Sequence, residues 1–243
     1  MRSPTLTHAP LLALVVSRCA ALATTLTTNA PLLALVAHAS RCAALAPHPT
    51  LVAGTSLEGK RLELAYVATE HGWDALDFHG RCDDRGSTLV ECETRGGLRF
   101  GGFNPLGYMS SDDYGSSVNA FIYFFAGDDD APTRCAALGS GDGCVYDYAK
   151  GGPTFGAADL VVGRPKSAVM GGFSGPDTED TSIGQGSLRT ASSSPGGAYA
   201  RHADWPAAAI AAGELAEVRA WVNADVRPQG SGGGGGGAGW WPF

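Results

Sequence analysis

The sequence predicts an antiparallel β-sandwich, mostly β with short flanking helices. Two observations carry this reading. Glycine is very frequent, at 35 of 243 residues, which favours turns over long helices. Several short β-rich or apolar runs then follow one another between glycines, with few helical signals.

The runs fall in order within residues 55–227, read as the folded domain. The first clear helix start lies at 74. Asp74 is a good N-cap, Asp77 stands at the third helical position, and Trp73 and Phe78 occupy the positions of a hydrophobic staple. A short helix over about 75–81 follows, with both carboxylates at its positive end. Gly86 ends the "CDDRGST" break, free to take positive φ. "STLVECE" (87–93) reads as a strand, "TRGG" (94–97) as a hairpin turn and "LRFGGF" (98–103) as the returning strand. "NAFIYFFAG" (119–127) is continuously apolar and aromatic, as a fully buried strand should be. "GCVYDYA" (143–149) and "ADLVVG" (158–163) are short strands between glycines. Residues 164–205, rich in Gly, Ser, Pro and Asp, read as one or two long loops. In "ELAEVRAWV" (214–222), Leu215, Glu217, Arg219 and Trp221 alternate with Ala216, Val218, Ala220 and Val222, placing Val218 and Val222 on one face and the charges on the other.

Outside that domain lie two segments of biased composition. "APLLALVVSRCAALA" (9–23) returns as "APLLALVAHASRCAALA" (30–46), and "TRCAALG" (133–139) echoes it. Each run is too short to span a membrane, and an arginine interrupts it near its end. Residues 1–54 carry Arg, Ser and Thr and no acid, so they read as an organelle transit peptide or as a low-complexity extension. Residues 228–243 begin as a flexible glycine linker and end in Trp240, Trp241, Pro242 and Phe243.

Charge narrows the partners. The net charge is −7, and the first acid is Glu58. With only Arg2, Arg18 and Arg41 before it, the remainder carries 24 acids against 14 bases. Such a surface repels phosphate backbones, so nucleic acid is excluded and a basic or neutral protein partner is favoured. No stable membrane insertion is expected. The six cysteines show no CxxC and no zinc-ligand spacing, and no Asn-x-Ser/Thr acceptor exists. They read as free thiols in a reducing compartment.

The densest chemistry is "HGWDALDFHGRCDDRGSTLV" (71–90). Trp73 and Phe78 have a structural reading as anchors of the helix on a sheet, each stabilising by about 2–3 kcal/mol when buried. His79 and Cys82, three apart, share a helix face and need no catalytic role as core-facing residues. As a reactive pair they would need a lowered thiol pKa. As metal ligands they would need two more partners. Elsewhere "GGFSGP" (171–176) lacks the second glycine of a nucleophile elbow, and "GQGSLR" (184–189) lacks the last glycine of a dinucleotide fingerprint. "GDDDAP" (127–132) and "GSGDG" (139–143) lack calcium-loop spacing. All four read as solvated turns. No catalytic residue, metal site or cofactor is assigned.

One stretch is more specific. Residues 72–103 contain Gly72-Trp73, Phe78-His79, Cys82-Asp83, Gly86 followed by Thr88-Leu89, and Phe100-Gly101-Gly102-Phe103. In that order they resemble the start of a TLDc domain. "SDDY" (111–114), "NAFIYFF" (119–125), "GGPTFGAADLVVG" (151–163) and "ELAEVRAWV" resemble its later segments, so the resemblance covers roughly 55–225. The Ala/Leu repeat stands where the family's preceding helical segment would be, and the RCAAL echo lies inside the domain. The resemblance implies a β-sandwich with a role in oxidative-stress protection, binding to the vacuolar proton-pumping ATPase, and no agreed catalytic centre. The expectation is thus a monomeric, non-catalytic protein-binding module in the cytoplasm, or in a mitochondrion or plastid if residues 1–54 are a transit peptide. The other readings are a thiol-based redox protein acting through Cys82 or Cys92, and a small hydrolase, for which no nucleophile–base pair is seen.

Overall fold

A computed structural model of the protein describes residues 46–127, 131–163 and 186–228. The repeat up to residue 45, Cys19 and Cys42, the acids of "GDDDAP", the "GGFSGP" segment and the "WWPF" end lie outside the described residues. A compact unit begins at Pro47 and carries every element named below.

The described residues form two antiparallel sheets with four short helices, a mostly β fold. In chain order the elements are α1 (Pro49–Val52), β1 (Leu62–Val67), α2 (Ala68–His71), α3 (Ala75–Cys82), β2 (Thr88–Thr94), β3 (Arg99–Asn104), β4 (Asp113–Gly115) and β5 (Phe121–Phe125). They continue with β6 (Pro132–Ala136), β7 (Val145–Asp147), β8 (Thr154–Phe155), β9 (Leu160–Val162), β10 (Ala191–Ser192), α4 (Ala207–Ala212) and β11 (Leu215–Asn223). The larger sheet has the order β1-β11-β2-β3-β5-β6, and the smaller has the order β10-β9-β8-β7-β4.

The hairpin read at 87–103 is present as β2 and β3, with Gly97 at φ +83 in the turn. Strict alternation sends Val90, Cys92, Phe100, Ile122, Phe124, Cys135, Val218 and Ala220 to the inner face of the larger sheet. Facing them in the same core are Val145, Phe155, Leu160 and Val162 of the smaller sheet. Gly102 is a point of close approach between the sheets. A Cβ there would sit 2.6 Å from Phe155 Cζ, so the Phe155 ring occupies the space a side chain would fill.

The outer face of the larger sheet is also buried. Leu89, Phe103, Phe121, Tyr123, Phe125 and Trp221 lie on it, which explains why residues 121–125 are apolar without alternation. Residues 48–57 cover part of this face. Leu51 and Leu57 are buried, the His48 ring meets Phe125 edge-on at 6.0 Å, and Arg134 Nη2 donates to the Ala53 carbonyl at 3.0 Å.

Three sequence readings need correction. Leu215 does not share the charged face of β11. A register shift between Leu215 and Glu217 turns it into the core beside Val218, because one extra residue in a strand reverses the alternation beyond it. Second, the segment read as loop to 205 contains β10 and the buried Leu188, Tyr199 and Trp205. Third, the sequence reading places no strand at β1, where Leu62 and Leu64 alternate and a register shift then turns Tyr66 into the core. Among the described residues no helix is long and apolar enough to cross a membrane.

Candidate functional site

The conspicuous stretch from 71 folds as the sequence signals require. Asp74 caps α3, its carboxylate accepting the Leu76 N–H at 2.8 Å from an extended backbone. Gly72 has φ +108 and lies against the Asp77 carboxylate, so no side chain fits there. Its carbonyl accepts the Tyr66 hydroxyl at 2.6 Å, tying β1 to the start of α3. Phe78 is fully buried, edge-on to Tyr66 at 5.4 Å and to Tyr108 at 5.0 Å. Trp73 is half-buried against the same core, with the Arg189 guanidinium 4.5 Å over its ring.

The remaining motif residues also have structural neighbours. Gly86 takes φ +69, and its carbonyl packs against Gly107. Thr88 is buried and donates its hydroxyl to the Gly86 carbonyl, while Leu89 faces the outer layer. Phe100 enters the core, and Phe103 stacks on Phe121 at 5.4 Å. Gly101 leaves room for the Tyr123 hydroxyl, which donates to the Val90 carbonyl at 3.0 Å.

His79, Cys82 and Asp83 require closer inspection, since they are the reactive candidates. The His79 ring is buried and held at both nitrogens. Nδ1 lies 2.8 Å from Asp83 Oδ1, and Nε2 lies 3.0 Å from the Gly151 carbonyl. Ser110 donates its hydroxyl to the other Asp83 oxygen at 2.5 Å. On β7, Asp147 Oδ2 accepts the Met109 and Ser111 N–H groups, each at 2.9 Å, and the Ser111 hydroxyl at 3.0 Å. Burial works against a charge on His79, but Asp83, the Gly151 carbonyl and the field of Asp147 outweigh it, and its pKa lies above the ordinary value.

Strain gathers around this cluster. Among the described residues, the non-glycine positions with positive φ are Asp84 (+59), Ser110 (+55) and Asp112 (+56). The Asp84 N–H donates to the Tyr108 carbonyl at 2.9 Å, which joins the end of α3 to the β3–β4 connection. The sequence reading found His79 and Asp83 but missed Ser110, Asp147 and Gly151. Nothing in "VYDYAKGGP" distinguishes Asp147 from the other aspartates before the chain is folded.

The geometry does not make a reactive dyad. Both ring nitrogens are engaged by partners within the fold, so the imidazole is not presented to a substrate. Cys82 and Cys92 are fully buried, and burial pushes both thiols well above their ordinary range. A thiolate is therefore disfavoured at either position, and neither residue suits the redox role considered for it. Cys135 and Cys144 are likewise free and buried. His71 lies elsewhere, its Nδ1 accepting the Val67 N–H at 2.9 Å, so it does not join His79 and Cys82. Among the described residues no group of three His, Cys, Asp or Glu is placed to hold a metal.

A family model for the TLDc domain matches residues 50–199. The chain belongs to the TLDc domain family. That membership relates it to proteins of oxidative-stress protection. No curated protein matches the chain. The range matched to the TLDc domain holds β1 to β10, whereas β11, which separates β1 from β2, lies beyond it.

Proposed function

We propose that this TLDc protein is a non-catalytic protein-binding module, acting in oxidative-stress protection through a protein partner, with the vacuolar proton-pumping ATPase as the first candidate. One observation carries the reading. The family's most chemical-looking residues are consumed by the fold: His79 and Asp83 join elements, Cys82 and Phe78 fill the core, and the paired glycines admit neighbouring atoms. What remains to act is surface, and the whole chain carries a net charge of −7, which suits a basic or neutral docking face. The proposed compartment is the cytoplasm. An organelle would replace it if residues 1–54 direct import. The described residues are assigned to a monomer.

The test is direct. The purified full chain is added to assembled vacuolar ATPase, and co-sedimentation and ATP hydrolysis are recorded together. Binding with altered turnover is the expected result. Absence of binding at micromolar protein, about the −8 kcal/mol range of association energy, would remove the pump as partner and leave the family assignment standing.

A further inference from the structure

His79 is a buried titratable side chain that meets acceptors on both sides from different parts of the fold. A carbonyl oxygen accepts and never donates. Asp83 accepts on Oδ1 from His79 while Oδ2 takes the Ser110 hydroxyl. A neutral imidazole has one N–H and can satisfy only one of these partners. The imidazolium has two and satisfies both. The geometry therefore needs the charged ring, in a place where it is almost entirely out of water.

We propose that His79 is a proton-operated clasp: the doubly protonated ring ties α3 to the β7–β8 connection, and loss of one proton frees residues 148–153. The charge-assisted bond to Asp83 is the stronger of the two, so Nδ1 keeps its hydrogen and Nε2 loses one to solvent base. Nε2 then presents a lone pair to the Gly151 carbonyl lone pairs at 3.0 Å. In a buried site that contact turns from attractive to repulsive. Gly151 and Gly152, adjacent in the connection, give it a hinge. Beyond them the Pro153 carbonyl accepts the Val162 N–H at 2.9 Å, and Phe155 packs on Gly102. Opening the clasp would thus loosen the chain leading into the contact between the sheets.

The groups facing the ring set its direction of response. Asp83 faces it from its own helix, Asp147 from β7, the Gly151 carbonyl from the connection and the Tyr108 ring from the β3–β4 connection at 6.0 Å. Asp83, Asp147 and the carbonyl favour the cation. The folded pKa is raised above the unfolded value of about 6.5. The clasp's contribution to stability is therefore complete below about pH 6.5 and is lost as pH rises through the folded value.

The test uses the full chain labelled with ¹⁵N. Long-range ¹H–¹⁵N spectra of His79 are recorded from about pH 6, below the ordinary value of about 6.5, upward until the ring titrates. Amide exchange at Gly151, whose N–H donates to the Tyr148 carbonyl at 3.0 Å, is followed in parallel and corrected for its intrinsic pH dependence. Both ring nitrogens should be protonated at the acid end. Nε2 should then lose its proton, and corrected exchange at Gly151 should rise by about tenfold over the same interval, as local opening becomes easier. Asp83→Asn should move both changes together to lower pH. A neutral ring at the acid end would overturn the proposal. So would a ring titration that leaves Gly151 exchange unchanged, and both readings come from the unsubstituted protein should Asp83→Asn fail to fold.

Discussion

Gly101 and Gly102 are adjacent and serve opposite faces. A side chain at Gly101 would collide with the Val90 carbonyl on the outer face, and one at Gly102 would collide with the Phe155 ring on the inner face. Replacing Gly102 with alanine forces either the ring or the sheet to move, at a cost of about 1–3 kcal/mol. The urea midpoint of Gly102→Ala should fall accordingly, and Phe155→Leu in the same chain should recover part of the loss. Full additivity of the two changes would disprove the contact. The sequence displays the glycine pair plainly. What it cannot display is Phe155, which arrives from the other sheet more than fifty positions later. His79 illustrates the same limit. Its place on a buried helix face is legible from spacing to Phe78 and Cys82, but its second partner is a backbone carbonyl, and any residue type could have supplied that.

At the scale of elements, local signals work where a segment stabilises itself. Helix α3 announces its start through Asp74, and the β2–β3 hairpin announces its turn through Gly96 and Gly97. Helix α2 does not. Its N-cap Val67 offers no side-chain bond. Glu217 of β11 instead takes the Thr69 N–H at 3.2 Å and the Thr69 hydroxyl. A helix of four residues capped from a strand 148 positions away leaves no trace in its own sequence. Glu217→Ala would leave these donors without their acceptor and should destabilise by about 1–3 kcal/mol. Glu217→Gln should keep most of that stability, and equal losses for the two variants in thermal melts would refute the capping role. The Arg-Cys-Ala run shows the converse. At 134–136 it forms part of β6, with Cys135 in the core and Arg134 over the Phe121 ring at 4.3 Å. Short runs of this kind take the structure their neighbours impose.

For the molecule as a whole, β11 is decisive. It sits between β1 and β2, so the first strand of the domain joins the sheet only through the last. Ending the chain at Gly213 would leave Leu62–Val67 without a partner and strip Val218, Ala220 and Val222 from the core. Such a chain should show no cooperative unfolding by circular dichroism. A sharp transition would mean that the range matched to the TLDc domain folds without its closing strand. The larger sheet closes through this long-range pairing, and closing long loops favours slow folding.

By itself the sequence determined the mostly β class, the hairpin around the glycine pair, the capped helix at 75 and the family resemblance. The hairpin and the capped helix rest on neighbours within about a dozen positions, where periodicity and turn chemistry act directly. Only the tertiary structure decided which strands are neighbours, what covers the outer face of the larger sheet, and that His79 spans two segments. Those outcomes depend on atoms brought together from distant positions, whose residue types alone carry no record of the meeting.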